Sequence, residues 1–283
     1  MRHFLSPLLL RVALCVSSCG QKEHEQSRAP LPPDDSTSLR VAVLPIVDAL
    51  PLYYAQASGI ARQLGLPLSL KTYAAQFDAD TAMMGRTVDM GMLDEARLAY
   101  YQRRGQFRSV QPFHRMQGSW NLVVDQRQRI GKVADLKDRT ILLARFDQSD
   151  AYWKHLADSV RFKADSYYTP QVNSFAIRLQ MLLNHQTDAA ILPEPFATWA
   201  VSLGHKRLAS TERYPLAIYV RGKAMQNNGK KAQVQLLKRA YKQAVDERNR
   251  PKNALRDSLL QYRLHVPKSA LPQLRLPRYN KVQ

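Results

Sequence analysis

The sequence predicts an α/β fold of two lobes, each a mostly parallel sheet flanked by helices, with the second lobe inserted in the first. Three observations carry this. Strand-length apolar runs alternate with stretches of helical spacing, and the alternation occurs in two successive sets. Hydrophobic residues make up 45% and charged residues 23% of the 283, ordinary proportions for a globular chain, which excludes both a disordered chain and a polytopic membrane protein. The only cysteines, Cys15 and Cys19, stand at the N-terminus. The rest of the chain therefore has to be held by apolar cores, without disulfides or thiolate metal cages.

Taken in order, residues 1–19 open with Arg2 and His3, run through an apolar stretch from Phe4 to Val16 and end in Ser17-Ser18-Cys19. A basic start, a short apolar run and small residues before a cleavage point read as an export signal, too short to span a bilayer. Val16-Ser17-Ser18-Cys19 resembles the bacterial lipobox, which implies acylation of Cys19 and a lipid anchor; Arg11 within the apolar run departs from the pattern. Residues 20–38 are polar and rich in proline (Pro30, Pro32, Pro33), and read as a flexible tether.

From Leu39 the body begins. Leu39 to Leu44 is a strand stopped by Pro45, and Leu50 to Arg62 has helical spacing broken near Gly59. Leu68 to Tyr73 and Val88 to Leu93 read as strands, Asp78 to Gly85 and Glu95 to Arg104 as helices. A second set follows Gln117-Gly118-Ser119: strands at Trp120–Val124, Thr140–Ala144 and Asp188–Leu192, and helices at Ser149–Val160 and Val172–His185. Pro215 to Val220 supplies one more strand, and two basic helices cover Lys230–Arg248 and Asn253–Leu264. Strands alternating with helices predict parallel pairing. The lobes are 39–118 with 215–283, and 119–214.

Thr187-Asp188-Ala189-Ala190-Ile191-Leu192-Pro193-Glu194-Pro195-Phe196 resembles the second-lobe signature of periplasmic substrate-binding proteins for sulfonates, nitrate, taurine and thiamine-pyrimidine precursors. Arg40 to Gly59 is similar to that family's first strand and helix, Thr87 to Leu93 to its third strand, and Leu271 to Tyr279 to its closing tail. The resemblance implies a type II two-lobe periplasmic-binding-protein fold that closes on a small solute and docks to an ABC transporter permease. It further implies a monomer with no cofactor, at the periplasmic face of a bacterial membrane. An enzymatic relative of the fold uses a Cys-rich iron motif, and no cysteine follows Cys19.

In open α/β sheets a ligand sits beyond the C-terminal ends of the strands. This rule selects a candidate site of Asp48, Leu50, Pro51, Phe77, Asp78, Asp94, Gln117, Ser119, Trp120, Phe146, Ser149, Asp150, Pro193 and Glu194. Acids gathered there, with Glu95 and Asp147 beside them, suit an amine-bearing or pyrimidine-like ligand. Glu194, fixed between prolines, is the leading single candidate. Ser149-Asp150 reads instead as a helix start whose N–H groups would hold a sulfonate or nitrate. Phe77, Trp120, Phe146, Phe196 and Trp199 would supply a flat face for an aromatic ligand.

Enzyme readings find no support: G-x-S-x-G, H-E-x-x-H and G-x-G-x-x-G are absent, Ala224 stands where a Walker A glycine would be needed before Gly229-Lys230, and the histidines show no metal-ligand spacing. The net charge is +19, and residues 221–283 hold 16 of the 42 Lys and Arg but 3 of the 23 acids. Lys230, Lys231, Lys238, Arg239 and Lys242 recur at helical spacing, predicting a basic helix face. No recognition motif points to nucleic acid. Two function classes emerge: a lipid-anchored solute receptor, and an envelope lipoprotein that binds a partner or anionic surface through its basic C-terminal face.

Overall fold

Strand β1 (Leu39–Val43) is buried along nearly its whole length and forms the middle of one half of the sheet, pairing in parallel with β2 (Leu68–Thr72) and β3 (Met90–Asp94). The structure, a computed structural model, describes residues 37–250 and 253–282. The signal segment, Cys19 and tether residues 20–36 lie outside them. Seven strands form one hydrogen-bonded sheet in the order β2-β1-β3-β7-β4-β6-β5, with β4 at Val110–Val124, β5 at Ile141–Leu142, β6 at Ala189–Pro193 and β7 at Lys206–Arg221. Helices are α1 (Leu50–Ala57), α2 (Ile60–Gln63), α3 (Gln76–Met84), α4 (Glu95–Arg103), α5 (Gln148–Ser159), α6 (Phe175–Leu183), α7 (Phe196–Ser202), α8 (Gly222–Gln226), α9 (Asn228–Arg248) and α10 (Ala254–Tyr262).

Expected parallel pairing holds for β1–β2, β1–β3 and β5–β6, whereas β3–β7, β4–β7 and β4–β6 are antiparallel. The correction has a physical source. The apolar pattern marks only Trp120–Val124 and Pro215–Val220 as strands, but β4 and β7 are 15 and 16 residues long. Each runs through both halves of the sheet, and their antiparallel ladder joins the halves, pairing Val110 with Arg221 at one end and Val124 with Lys206 at the other. Their exposed polar stretches carry no clean apolar alternation, so period-2 reading misses them.

Local chemistry sets the boundaries. Gly59, at φ 80°, separates α1 from α2 in a left-handed conformation that most residues avoid. Asp94, Ser174, Asn227 and Asn253 cap α4, α6, α9 and α10 through side-chain oxygens that accept backbone N–H groups. Helix α9 buries Val234, Leu237, Ala240, Tyr241, Ala244 and Val245, the stripe expected at 3.6-residue period. Lys230, counted on the basic face from the sequence, turns inward: its Nζ bonds Asp89 at 3.0 Å and the carbonyl of Ser38. Among the described residues no helix is long and apolar enough to cross a membrane.

Candidate functional site

The C-terminal ends of the parallel strands converge on one pocket. Leu44, Ile46 and Asp48 follow β1, Gln76 opens α3, Asp94 ends β3, Asp147 and Gln148 begin α5, and Pro193 ends β6. Gly118, Ser119 and Trp120 come from the middle of β4, and Phe175 and Leu216 complete the wall. The β4–β7 register slips between Gly118 and Trp120, and such an irregularity re-aims a side chain, here Ser119, toward the pocket. Trp120 and Phe175 pack edge to face with ring centroids 5.9 Å apart.

Three carboxyls line this pocket, each almost completely buried: Asp48, Asp94 and Asp147, at 5%, 2% and 1% exposure. Burial pushes the Asp48 carboxyl up to about 7, with the charge of Glu194 adding to the rise. Burial also lifts Asp94 well above the usual carboxylate range, and the neighbouring Asp147 charge lifts it further. Asp147 is raised by burial against the opposing pull of Arg178. Two buried arginines stand behind the acids. Arg97 pairs with Asp80 through Nε and donates to the Arg145 carbonyl at 3.3 Å. Arg178, wholly buried, donates to the carbonyls of Val172 (2.6 Å) and Ile191 (2.9 Å), while its Nη2 lies 3.8 Å from Asp147 Oδ2. Neither of those last two atoms has a hydrogen-bond partner. Asp80, Asp94 and Asp147 outnumber Arg97 and Arg178 by one, and burial raises the pKa of all three acids.

The start of α5 corrects a sequence expectation. Its N-cap is Asp147, not Ser149: Asp147 Oδ1 accepts the Ser149 N–H at 2.7 Å and the Asp150 N–H at 3.3 Å. The Gln148 N–H donates to Asp94 Oδ2 at 2.7 Å. Donors that would have held a sulfonate or nitrate at this helix end are thus taken by two carboxylates of the chain itself. Ser149 is fully buried, and its hydroxyl accepts the Ala144 N–H and donates to Asp147.

Of the sequence-selected residues, Asp48, Asp94, Ser119, Trp120 and Pro193 line the pocket. Leu50 and Pro51 are buried at the start of α1, and Gln117 lies within β4. Phe77 and Asp78 are exposed on α3. Phe146 is 51% exposed and stacks on Tyr100 at 4.6 Å. Asp150 accepts the Phe146 N–H and pairs with Lys154 at 2.9 Å. Glu194 is not among the lining residues; its Oε1 holds Arg207 at 2.6 Å and its Oε2 accepts the Thr198 N–H in the first turn of α7. Gln76 and Gln148 fall within the strand-end loops the sequence selects, without being singled out, and Phe175 falls outside them. All three sit at or beside helix starts, a position that could have flagged them.

As it stands the pocket has a cavity volume of about 20 Å³, room for about one water. Hydrogen bonds between loops of the two sheet halves hold it shut: Val47 N–H to the Glu194 carbonyl at 3.0 Å, Gln148 N–H to Asp94, and Arg97 to the Arg145 carbonyl. Among the described residues no group of His, Cys, Asp and Glu could hold a metal ion.

No protein-family model matches the sequence, and neither does any curated protein sequence. Solved structures do match. The alkanesulfonate-binding protein SsuA from Xanthomonas axonopodis pv. citri, bound to MOPS, superposes with a TM-score of 0.71 at 14% identity, over 84% of this chain and 82% of that one. The periplasmic nitrate-binding protein NrtA from Synechocystis PCC 6803 gives 0.71 at 13% identity, over 87% and 73%. A Candida albicans gene product described as exhibiting the generic periplasmic binding protein fold gives 0.64 at 14%, over 83% and 79%. With β4 and β7 joining two α/β halves around a pocket at the strand ends, the chain has the two-lobe fold of the periplasmic binding proteins.

Proposed function

We propose that this chain is the solute-binding receptor of an ABC import system, and that its solute is a small cation or hydrogen-bond donor, such as an amine, amidine or aminopyrimidine. One observation carries the reading: a pocket walled from both halves of the sheet presents three buried carboxyls, while the N–H groups of the nearby helix end are already spent. This excess of buried acid suits a ligand that brings one positive charge. Trp120 and Phe175 would pack on its apolar face. The lobes of 39–118 with 215–283, and 119–214, would part about the β4–β7 crossing to admit it, breaking the three hydrogen bonds that shut the pocket, and reclose on it. Export on the residue 1–19 signal, anchoring through Cys19, periplasmic placement and docking to a membrane permease complete this reading.

Thermal-shift screening of the full chain against amines, amidines, aminopyrimidines, sulfonates and nitrate tests it. A ligand at 100 times its Kd stabilises by about 2.7 kcal/mol. Stabilisation by donor-bearing cations is expected, with Asp147→Asn weakening the best of them more than tenfold, since removing a buried charged partner costs about 2–5 kcal/mol. Affinity should climb by up to about tenfold per pH unit toward pH 7, because the Asp48 carboxyl must first release its proton. A screen that finds only anions, bound equally well by Asp147→Asn, overturns the reading.

A further inference from the structure

A second cavity, of about 380 Å³, opens at the opposite end of the strands and is a candidate site in its own right. From Leu216, at the solute pocket, to Arg221, on this cavity, β7 advances five residues, roughly 17 Å at strand rise. The size falls within the range of small-molecule sites.

Its chemistry is the inverse of the cleft's. Arg86, Arg221 and Lys223 line it and no carboxylate does. Arg86 and Lys223 are exposed and have no ion-pair partner among the described residues. The one acid nearby, Asp89, is already engaged by Arg40 at 3.1 Å and Lys230 at 3.0 Å. Arg221 is half-buried, with Nη1 donating to the Val88 carbonyl at 3.0 Å. Burial lowers its pKa; Asp89 counters this, and the charges of Arg86 and Arg40 oppose its own. Between the cations the wall is apolar, from Met84, Phe107 and Val110. Arg86 and Phe107 hold left-handed backbone, at φ 61° and 49°, Arg86 as the residue just past the C-cap of α3.

We propose that this cavity binds an organic anion with a short apolar body, its phosphate, sulfonate or carboxylate held by Arg86, Arg221 and Lys223 and its alkyl part lying on Met84, Phe107 and Val110. The site is separate from the solute pocket and does not rest on the import reading. Strand β1 also starts at this end of the sheet, where Ser38 is held by Lys230 and Thr37 by Gln233. An anionic lipid headgroup is therefore one source of this chemistry and a free organic anion the other.

The test uses the full chain carrying Cys19→Ala, so that acylation plays no part. By calorimetric titration, hexyl phosphate should bind at least tenfold more tightly than inorganic phosphate, and the double variant Arg86→Glu/Lys223→Glu should lose more than tenfold. Lys231→Glu/Arg239→Glu, an equal charge change on exposed positions of α9, should bind as wild type does. Vesicles of phosphatidylglycerol in phosphatidylcholine separate the sources at about 0.15 M salt, where diffuse attraction is screened. Co-sedimentation lost only in the Arg86/Lys223 variant identifies a headgroup, and hexyl phosphate binding without co-sedimentation identifies a free anion. Hexyl phosphate binding no tighter than inorganic phosphate, or equally well in the Arg86/Lys223 variant, overturns the proposal.

Discussion

Asp48 carries a carboxyl that is 5% exposed in the wall of the pocket at the strand ends, with burial holding its pKa at about 7. An unfolded chain would release that proton near pH 4, so the folded state binds more protons between about pH 4 and 7. Stability from this group is fully present below pH 4 and is lost as the pH rises through 7. Asp48→Asn should therefore stabilise the protein at pH 8, by up to about 4 kcal/mol if the whole shift is relieved, and leave it little changed at pH 4. Urea unfolding at the two pH values checks this; an Asn variant that is less stable at pH 8 would show that the carboxylate is favourably paired. Glu194 makes the contrasting case. Its two oxygens are satisfied by Arg207 and the Thr198 N–H, so its charge is structural and serves to hold the β6–α7 turn.

Among the elements, β4 and β7 set the geometry of both cavities, one at the Gly118–Trp120 irregularity and the other at the Val110–Arg221 end. That end closes through a near contact: the Gly222 N–H donates to the Ser109 carbonyl at 2.8 Å, and a Cβ at Gly222 would lie 1.8 Å from Ser109 Oγ and 2.9 Å from its Cβ. Gly222→Ala should then cost about 1–3 kcal/mol by overpacking. Adding Ser109→Gly should recover much of the loss in a double-mutant cycle, because the colliding atoms are removed. Additive losses in the cycle would place the strain elsewhere. Helix α5 shows how an element's end can be closed to one ligand class: Asp94 and Asp147 occupy N–H groups that an anion would otherwise use.

At the scale of the whole molecule, a chain of net charge +19 nonetheless buries seven acids among the described residues, three of them in the pocket wall. The two cavities present opposite charge at opposite ends of the strands, so the two proposed ligands need not compete. Anchoring is tested separately from either. Cys19→Ala should move the expressed protein from the membrane fraction to the soluble envelope fraction with its thermal midpoint unchanged. A high-salt wash that leaves the variant on membranes would mean that something other than acylation holds it, since diffuse attraction through basic surface is screened by salt.

The sequence by itself determined the alternation of strands and helices, the places of the longer helices to within about three residues, and the gathering of acids at strand ends. Those signals are local: apolar period, capping residues and glycines act within a few residues of one another. Only the tertiary structure decided which acids meet. Asp94 binds the N–H of Gln148, 54 residues away, and Arg178 reaches from α6 toward Asp147, while Glu194 is turned to Arg207 and Asp78 to solvent. It decided also that β4 and β7 run antiparallel through both halves, a pairing in which partners up to 111 residues apart are matched by register. Pairings at such separation depend on the packing of every element between them, and no window of sequence contains them.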